Sequence, residues 1–162
     1  MHKNLAVEIG RLLKKGLKTL AIAESCTGGL VSSMVTEVPG SSVYFLGAVV
    51  AYHNGIKSAL LGVPKTLLSR YGSVSPETAL TLAKNTRKKL NSDYGLAVTG
   101  IAGPSGGSGT KPVGLVYIGL VSDKDSITKK FIFRGRRQSV RLQAAKKALT
   151  LLKEILLSKQ GS

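Results

Sequence analysis

Thr19-Leu20-Ala21-Ile22-Ala23-Glu24-Ser25-Cys26-Thr27-Gly28-Gly29-Leu30-Val31-Ser32-Ser33-Met34-Val35 is the stretch that decides how this chain is read. The short apolar run Thr19 to Ala23 predicts a strand, and the run Leu30 to Val35 predicts a helix. Ser25 therefore stands at a strand-to-helix turn. N–H groups that open a helix have no intrahelical partners, so those following Ser25 are candidates to bind an anion or a developing oxyanion. Gly28 and Gly29 let the backbone come close to a ligand. The turn suits a serine nucleophile, although the G-x-S-x-G elbow is absent. The plainer reading of Ser25 is a cap on the second helix.

On the N-terminal side of this stretch, Leu5, Ile9, Leu12 and Leu13 recur at helical spacing and predict a helix from Leu5 to Lys15, closed by Gly16. On the C-terminal side, the second helix stops before Pro39-Gly40. Tyr44 to Tyr52 is nearly all apolar and reads as a central strand buried on both faces. Asn54-Gly55 turns the chain into a short helix carrying Lys57, and Pro64 to Tyr71 is a second short helix. Ser75-Pro76-Glu77 starts a helix that runs to Leu90. Tyr94 to Val98 is another buried strand, and a glycine-rich loop runs from Thr99 to Pro112. Strands at Val113–Val121 and Ile127–Phe133 form a hairpin, and a last helix spans Arg137 to Leu157. Strands alternate with helices until the hairpin. The expectation is an α/β fold, a three-layer sandwich with a mixed β-sheet and helices on both faces, in a single domain over 1–162.

The chain has 162 residues, 43% of them apolar, which fits one domain with its own core. No apolar run approaches the ~20 residues of a membrane span. The start, Met1-His2-Lys3-Asn4, leads straight into an amphipathic helix and not into a signal peptide, so the expected location is cytoplasmic. The single cysteine, Cys26, excludes an internal disulfide and a cysteine-based zinc cluster, and two histidines are too few for a histidine-rich metal site. The net charge of +16, from 24 basic and 8 acidic residues, would attract nucleic acid or a phosphorylated small molecule. Nucleic acid is not favoured as a partner. No nucleic-acid-binding motif is present, aromatics are only 5%, and the basic residues spread over helix faces.

Ser25, Tyr52 and Lys57 are the candidate catalytic residues. Ser25 and Tyr52 fall at carboxyl ends of predicted strands, where α/β sheets build their sites. A desolvated lysine loses its proton more easily and can act as a base, and a tyrosine hydroxyl between lysine and serine can relay a proton. The adjacent His53 would point to the opposite face of the strand. Each residue also has an ordinary role: a helix cap, a core aromatic, a surface lysine. Cys26 at the helix start reads as a small buried hydrophobe or as an alternative nucleophile. The Thr99–Pro112 loop matches neither the nucleotide P-loop nor the dinucleotide pattern and reads as a loop covering an active site or as a plain surface loop. Arg137 and Arg141, four apart on one helix face near its start, are a candidate phosphate clamp or a solvated basic face.

The ordered set Ala23 to Gly29, Pro39-Gly40-Ser41-Ser42, Tyr52-His53-Asn54-Gly55-Ile56-Lys57, Thr99-Gly100-Ile101-Ala102-Gly103-Pro104, Lys111-Pro112-Val113-Gly114 and Gly135-Arg136-Arg137 resembles the CinA C-terminal-domain family. That family includes the nicotinamide mononucleotide deamidases, and the similarity covers almost the whole chain. The resemblance implies an amidohydrolase that converts nicotinamide mononucleotide to nicotinate mononucleotide and ammonia in pyridine nucleotide recycling. It implies Ser25 as nucleophile, Lys57 as base and Tyr52 as relay. Cys26, Thr27, Gly28 and the segment Thr99, Gly100, Ile101, Ala102, Gly103 would contact oxyanion and ring, and Arg137 and Arg141 would hold the phosphate. It also implies no metal or organic cofactor, a stand-alone form of the domain, and a homo-oligomer, expected as a dimer. Two alternatives remain open at this point: a basic competence-associated nucleic-acid module, and a nucleotide-sensing domain without turnover.

Overall fold

The structure, a computed structural model, describes residues 2–159; Met1 and residues 160–162, part of the expected domain, lie outside the described residues. Five strands, β1 (Leu20–Glu24), β2 (Phe45–Val50), β3 (Tyr94–Gly100), β4 (Leu115–Val121) and β5 (Ser126–Ile132), form one sheet in the order β2-β1-β3-β4-β5. β1 runs parallel to both β2 and β3, because helices return the chain between them. β4 and β5 add antiparallel. Their hairpin is set by Ser122, whose Oγ accepts from the N–H groups of Lys124 and Asp125 and donates to the Asp125 carboxylate. The mixed sheet is the expected one.

Six α-helices cover it: α1 (His2–Lys15), α2 (Leu30–Thr36), α3 (Asn54–Leu61), α4 (Lys65–Tyr71), α5 (Pro76–Leu90) and α6 (Arg137–Ser158). Helices α1, α2 and α6 pack together on one face, and α5, flanked by α3 and α4, covers the other. Strand alternation makes the two faces unequal. Ile22, Leu96, Val98, Ile118 and Leu120 point into a large core with Ile9, Leu13, Leu149 and Leu152. The other face carries small residues, Ala23 and Ala97, against Leu82 and Ala83 of α5. The glycines complete it. A Cβ on Gly95 would lie 2.1 Å from the Ala83 carbonyl oxygen, and one on Gly119 2.5 Å from that of Ala79. The α5 backbone thus lies directly on the sheet. Its ends are as expected: Ser75 Oγ accepts from the Thr78 N–H at 3.1 Å, Pro76 opens the helix, and Asn91 closes it at φ 50.

Two sequence expectations are corrected here. The Tyr44–Tyr52 run is not a central strand buried on both faces. β2 pairs only with β1, at the sheet edge, and its residues alternate between half-buried and exposed. Tyr52 and His53 do not occupy opposite faces of a strand either, because β2 ends at Val50. His53 is the N-cap of α3, its Nδ1 accepting from the Gly55 N–H at 3.1 Å. Among the described residues no helix is long and apolar enough to cross a membrane.

Candidate active site

β1 is prolonged by one bond, from the Ser25 N–H to the Val98 carbonyl at 3.0 Å, which fixes Ser25 beyond the strand end. Ser25 is buried, and among the described residues its hydroxyl makes no hydrogen bond. The chain then turns through Gly28 (φ 58) and Gly29 (φ 95), a left-handed path open to glycine. Ser25 is not the cap of α2; Gly29 is, without a side-chain bond.

The open end of α2 is filled by the chain itself. Glu24 is fully buried. Its Oε2 accepts from the N–H groups of Gly29 (3.0 Å) and Val31 (3.1 Å), and its Oε1 from the Ser32 N–H (2.8 Å) and the Ser32 hydroxyl (2.6 Å). A carboxylate at a helix N-terminus is favoured by the dipole and by the orphan donors. The expectation that the helix-opening N–H groups await a substrate is therefore corrected for Gly29, Val31 and Ser32. Gly28 N–H is also engaged, by the Ser25 carbonyl. The N–H groups of Cys26 and Thr27 donate to no other residue among the described ones, and Thr27 Oγ1 is buried without a partner. These donors next to Ser25 are the ones left to meet an oxyanion.

Lys57 is not an ordinary surface lysine. It is 1% exposed, and among the described residues no carboxylate pairs with it. Its Nζ donates to the Tyr52 carbonyl at 2.8 Å. Burial pushes its ammonium below the ordinary lysine range, a shift opposed by the nearby Cys26 thiol. Burial pushes that thiol up to about 12, with Glu24 adding to the rise and Arg141 and Lys57 opposing it. Cys26 is thus a protonated, enclosed thiol, as its reading as a small hydrophobe expects, and is unsuited to be the nucleophile.

Tyr52 is half exposed, and its hydroxyl bonds neither Lys57 nor Ser25. It accepts from Arg137 Nη2 at 2.7 Å, while Arg137 Nη1 donates to the Gly103 carbonyl at 2.9 Å. Arg137 so ties the α6 start to Tyr52 and to the glycine-rich loop. Beside it lies a cavity of about 500 Å³ whose lining includes Tyr52, Ser73, Gly100 to Gly103, Lys111 and Arg137. Lys111 and Arg137 are its charged members. Lys111 Nζ donates to the Tyr71 carbonyl at the end of α4, 2.6 Å away.

The sequence-stated site residues therefore fall into two groups joined at Tyr52. Gly100, Ile101, Ala102, Gly103 and Arg137 share the open cavity with the tyrosine ring. Ser25, Cys26 and Thr27 are buried in the turn that follows β1, Gly28 is exposed at its end, and the Cys26 thiol interacts electrostatically with Lys57. Thr99 directs its hydroxyl to the Ser73 carbonyl at 2.7 Å. The expected Arg137–Arg141 clamp is divided: Arg141 donates to the carbonyls of Cys26 (3.2 Å) and Thr27 (2.8 Å) and braces the Ser25 turn. Sequence reasoning passed over Glu24 and Lys111. A carboxylate closing an all-apolar strand just before a helix was the signal for the first. Nothing local marked the second, whose place depends on how the loop folds back. Among the described residues no three of His, Cys, Asp and Glu come together as a metal site would need.

Comparison with known proteins places this geometry. The family model of the CinA C-terminal domain matches residues 2–156. A CinA-like protein of Endomicrobium trichonymphae is 47% identical over 160 residues, 99% of this chain and 37% of that protein. A protein of Desulforudis audaxviator named for competence and damage induction is 49% identical over 145 residues, 90% of this chain and 35% of its own. The chain thus spans about a third of the length of the curated relatives it matches. A crystal structure of a competence/damage inducible protein from Agrobacterium tumefaciens superposes with a TM-score of 0.91 at 35% identity, covering 93% of each chain. A CinA superfamily protein from Klebsiella pneumoniae superposes at 0.94 with 25% identity, covering 98% of this chain and 99% of that one. The Ser25 turn, the enclosed lysine and the glycine-rich loop therefore stand in a chain that belongs to the CinA C-terminal domain family.

Proposed function

We infer that this chain is an amidohydrolase that converts nicotinamide mononucleotide to nicotinate mononucleotide and ammonia, with Ser25 as nucleophile and Lys57 as base. The observation that carries the reading is Lys57: an enclosed lysine that, among the described residues, has no carboxylate partner and interacts electrostatically with the thiol of Cys26, the residue that follows Ser25. Enclosing an unpaired lysine disfavours its charged form and so costs stability. What it supplies is an amine that accepts a proton at a lower pH than an exposed lysine does.

In this mechanism Lys57 takes the hydroxyl proton as Ser25 Oγ adds to the carboxamide carbon. The resulting oxyanion faces the N–H groups of Cys26 and Thr27. Collapse expels ammonia, which takes its proton from Lys57, and leaves an ester on Ser25. Water, deprotonated by Lys57, adds to the ester, and the acid leaves as Ser25 recovers its proton. The substrate phosphate lies in the open cavity with Arg137 and Lys111, and Arg141 stays behind to hold the turn. A phosphate that draws Arg137 off the Tyr52 hydroxyl frees that hydroxyl to serve as the relay. Binding of the remote group and readiness of the reacting centre are then coupled.

The test is ammonia release from nicotinamide mononucleotide by the unaltered chain, Ser25→Ala and Lys57→Met. Turnover in the first alone supports the assignment. Full activity in Ser25→Ala overturns the mechanism. No turnover in any of them, with a thermal shift on adding the nucleotide, points instead to a sensing domain.

A further inference from the structure

A single substrate phosphate accounts for Lys111 and Arg137 and leaves the neighbouring arginine unused. Arg136 is exposed at the start of α6, and among the described residues its guanidinium makes no hydrogen bond or ion pair. It borders a second cavity, of about 550 Å³, lined by Ala102, Pro104, Val113, Gly135, Arg136 and Arg137. That volume is in the range of small-molecule sites.

The two cavities share a wall, since Ala102, Gly103 and Arg137 line both. The wall is held in place. The Gly103 carbonyl accepts from Arg137 Nη1 at 2.9 Å, and Gly103 packs so closely on Val113 that a Cβ there would lie 2.5 Å from Val113 Cγ1. A ligand bound to Arg137 in the first cavity therefore has a formed space to continue into. Among the described residues no Asp or Glu lines either cavity. None occurs in residues 94–122 or 126–153, the stretches that supply Lys111, Arg136 and Arg137. Lys111 borders the first cavity, Arg137 both and Arg136 the second. Cations in that order suit two linked phosphates better than one.

We propose that the second cavity receives the other nucleotide half of a pyridine dinucleotide. The diphosphate bridge lies across Arg137 with Arg136 on its far phosphate, and the purine base lies against Ala102, Pro104 and Val113. This rests on the deamidase reading, which sets the nicotinamide half beside Ser25 and its phosphate against Arg137. The chemistry of the lining selects the occupant. Its side chains are apolar except for the two guanidinium groups, so it suits a flat, weakly hydrated ring joined to an anion. A guanidinium both stacks on such a ring and binds phosphate. A second phosphate alone would leave the apolar part unfilled. Seated in this way the dinucleotide competes with the mononucleotide, and the chain forms less nicotinate mononucleotide as the dinucleotide accumulates.

Calorimetric titration of the intact chain with nicotinamide adenine dinucleotide, nicotinamide mononucleotide, ADP and inorganic pyrophosphate tests this apart from turnover. The dinucleotide is expected to bind about ten-fold more tightly than the mononucleotide, the size of one added charge-assisted contact. ADP should bind more tightly than pyrophosphate, which lacks the base, and the dinucleotide should displace it. Arg136→Ala should weaken dinucleotide and ADP by about the same ten-fold and leave kcat and KM for the mononucleotide unchanged. Arg134→Ala removes the same charge from a residue that lines neither cavity and should change none of these values. A dinucleotide held no more tightly than the mononucleotide, ADP held no more tightly than pyrophosphate, or equal weakening in the two arginine variants overturns the proposal. Arg136-dependent binding of dinucleotide and ADP in a chain that turns over no mononucleotide would fail the deamidase reading and leave the second cavity's assignment standing. Turnover of the mononucleotide without competition from the dinucleotide would do the reverse.

Discussion

Glu24→Gln removes one oxygen from the carboxylate that closes α2, and the structure gives the cost. In the milder orientation the new NH2 replaces Oε1. It can donate to Ser32 Oγ, which keeps its own bond to the Gly29 carbonyl at 3.0 Å. The Ser32 N–H then faces a donor and is left unpaired, a loss of about 1.5–3 kcal/mol. The bonds from Gly29 and Val31 now reach a neutral amide oxygen and weaken by about 1 kcal/mol each. In the other orientation both the Gly29 and Val31 N–H groups lose their acceptor, which is worse. The expected destabilisation is therefore about 3–5 kcal/mol, or roughly 6–20 °C in Tm for a chain of this size. Urea and thermal unfolding followed by circular dichroism measure it. The turnover number should fall with it, because the same bonds hold the far end of the Ser25–Gly29 turn. A change below about 1 kcal/mol would refute the reasoning: it would mean that the α2 donors are satisfied some other way.

Lys57→Met should abolish turnover yet stabilise the fold at neutral pH. Burial lowers the folded-state pKa of Lys57 below its unfolded value. Its penalty is thus full at low pH and fades as pH climbs from the folded pKa towards the unfolded one, so the gain from Met should shrink as pH rises, as unfolding at pH 7 and pH 10 would show. In the unaltered chain the rising limb of kcat/KM against pH should lie below the range of an ordinary lysine. Gly119→Ala drives a Cβ to 2.5 Å from the Ala79 carbonyl and should cost about 1–3 kcal/mol or more by forcing α5 off the sheet, read from the urea midpoint. Arg137→Ala and Lys111→Ala should each raise KM for nicotinamide mononucleotide while leaving activity on nicotinamide riboside, which lacks the phosphate, less affected; an equal effect on both substrates would remove the phosphate assignment.

The elements were largely written in local sequence. Ser75-Pro76-Glu77 states a helix start whatever packs on it, and Leu5, Ile9, Leu12 and Leu13 state a helix face, because caps and periodicity act over a few residues. The strand–turn–helix around Ser25 was legible for the same reason, as were the candidate serine, tyrosine and lysine once the motifs were set in order. What tertiary structure alone decided is partnership. An apolar run such as Phe45–Val50 reads the same at the middle of a sheet as at its edge, and only the order β2-β1-β3-β4-β5 made it an edge. Whether Lys57 was a solvated cation or an enclosed amine depended on what folded over it. Arg137 and Arg141 share a helix face in sequence, yet one meets Tyr52, 85 positions away, and the other the carbonyls of the Ser25 turn, 114 and 115 positions away, because the fold brings those acceptors to different heights of α6. Glu24 was visible as a charge at the end of an apolar strand. That it would close the helix which seemed open to a ligand was settled when β1 and α2 came together, since donors pair with whichever acceptor the fold brings within 3 Å.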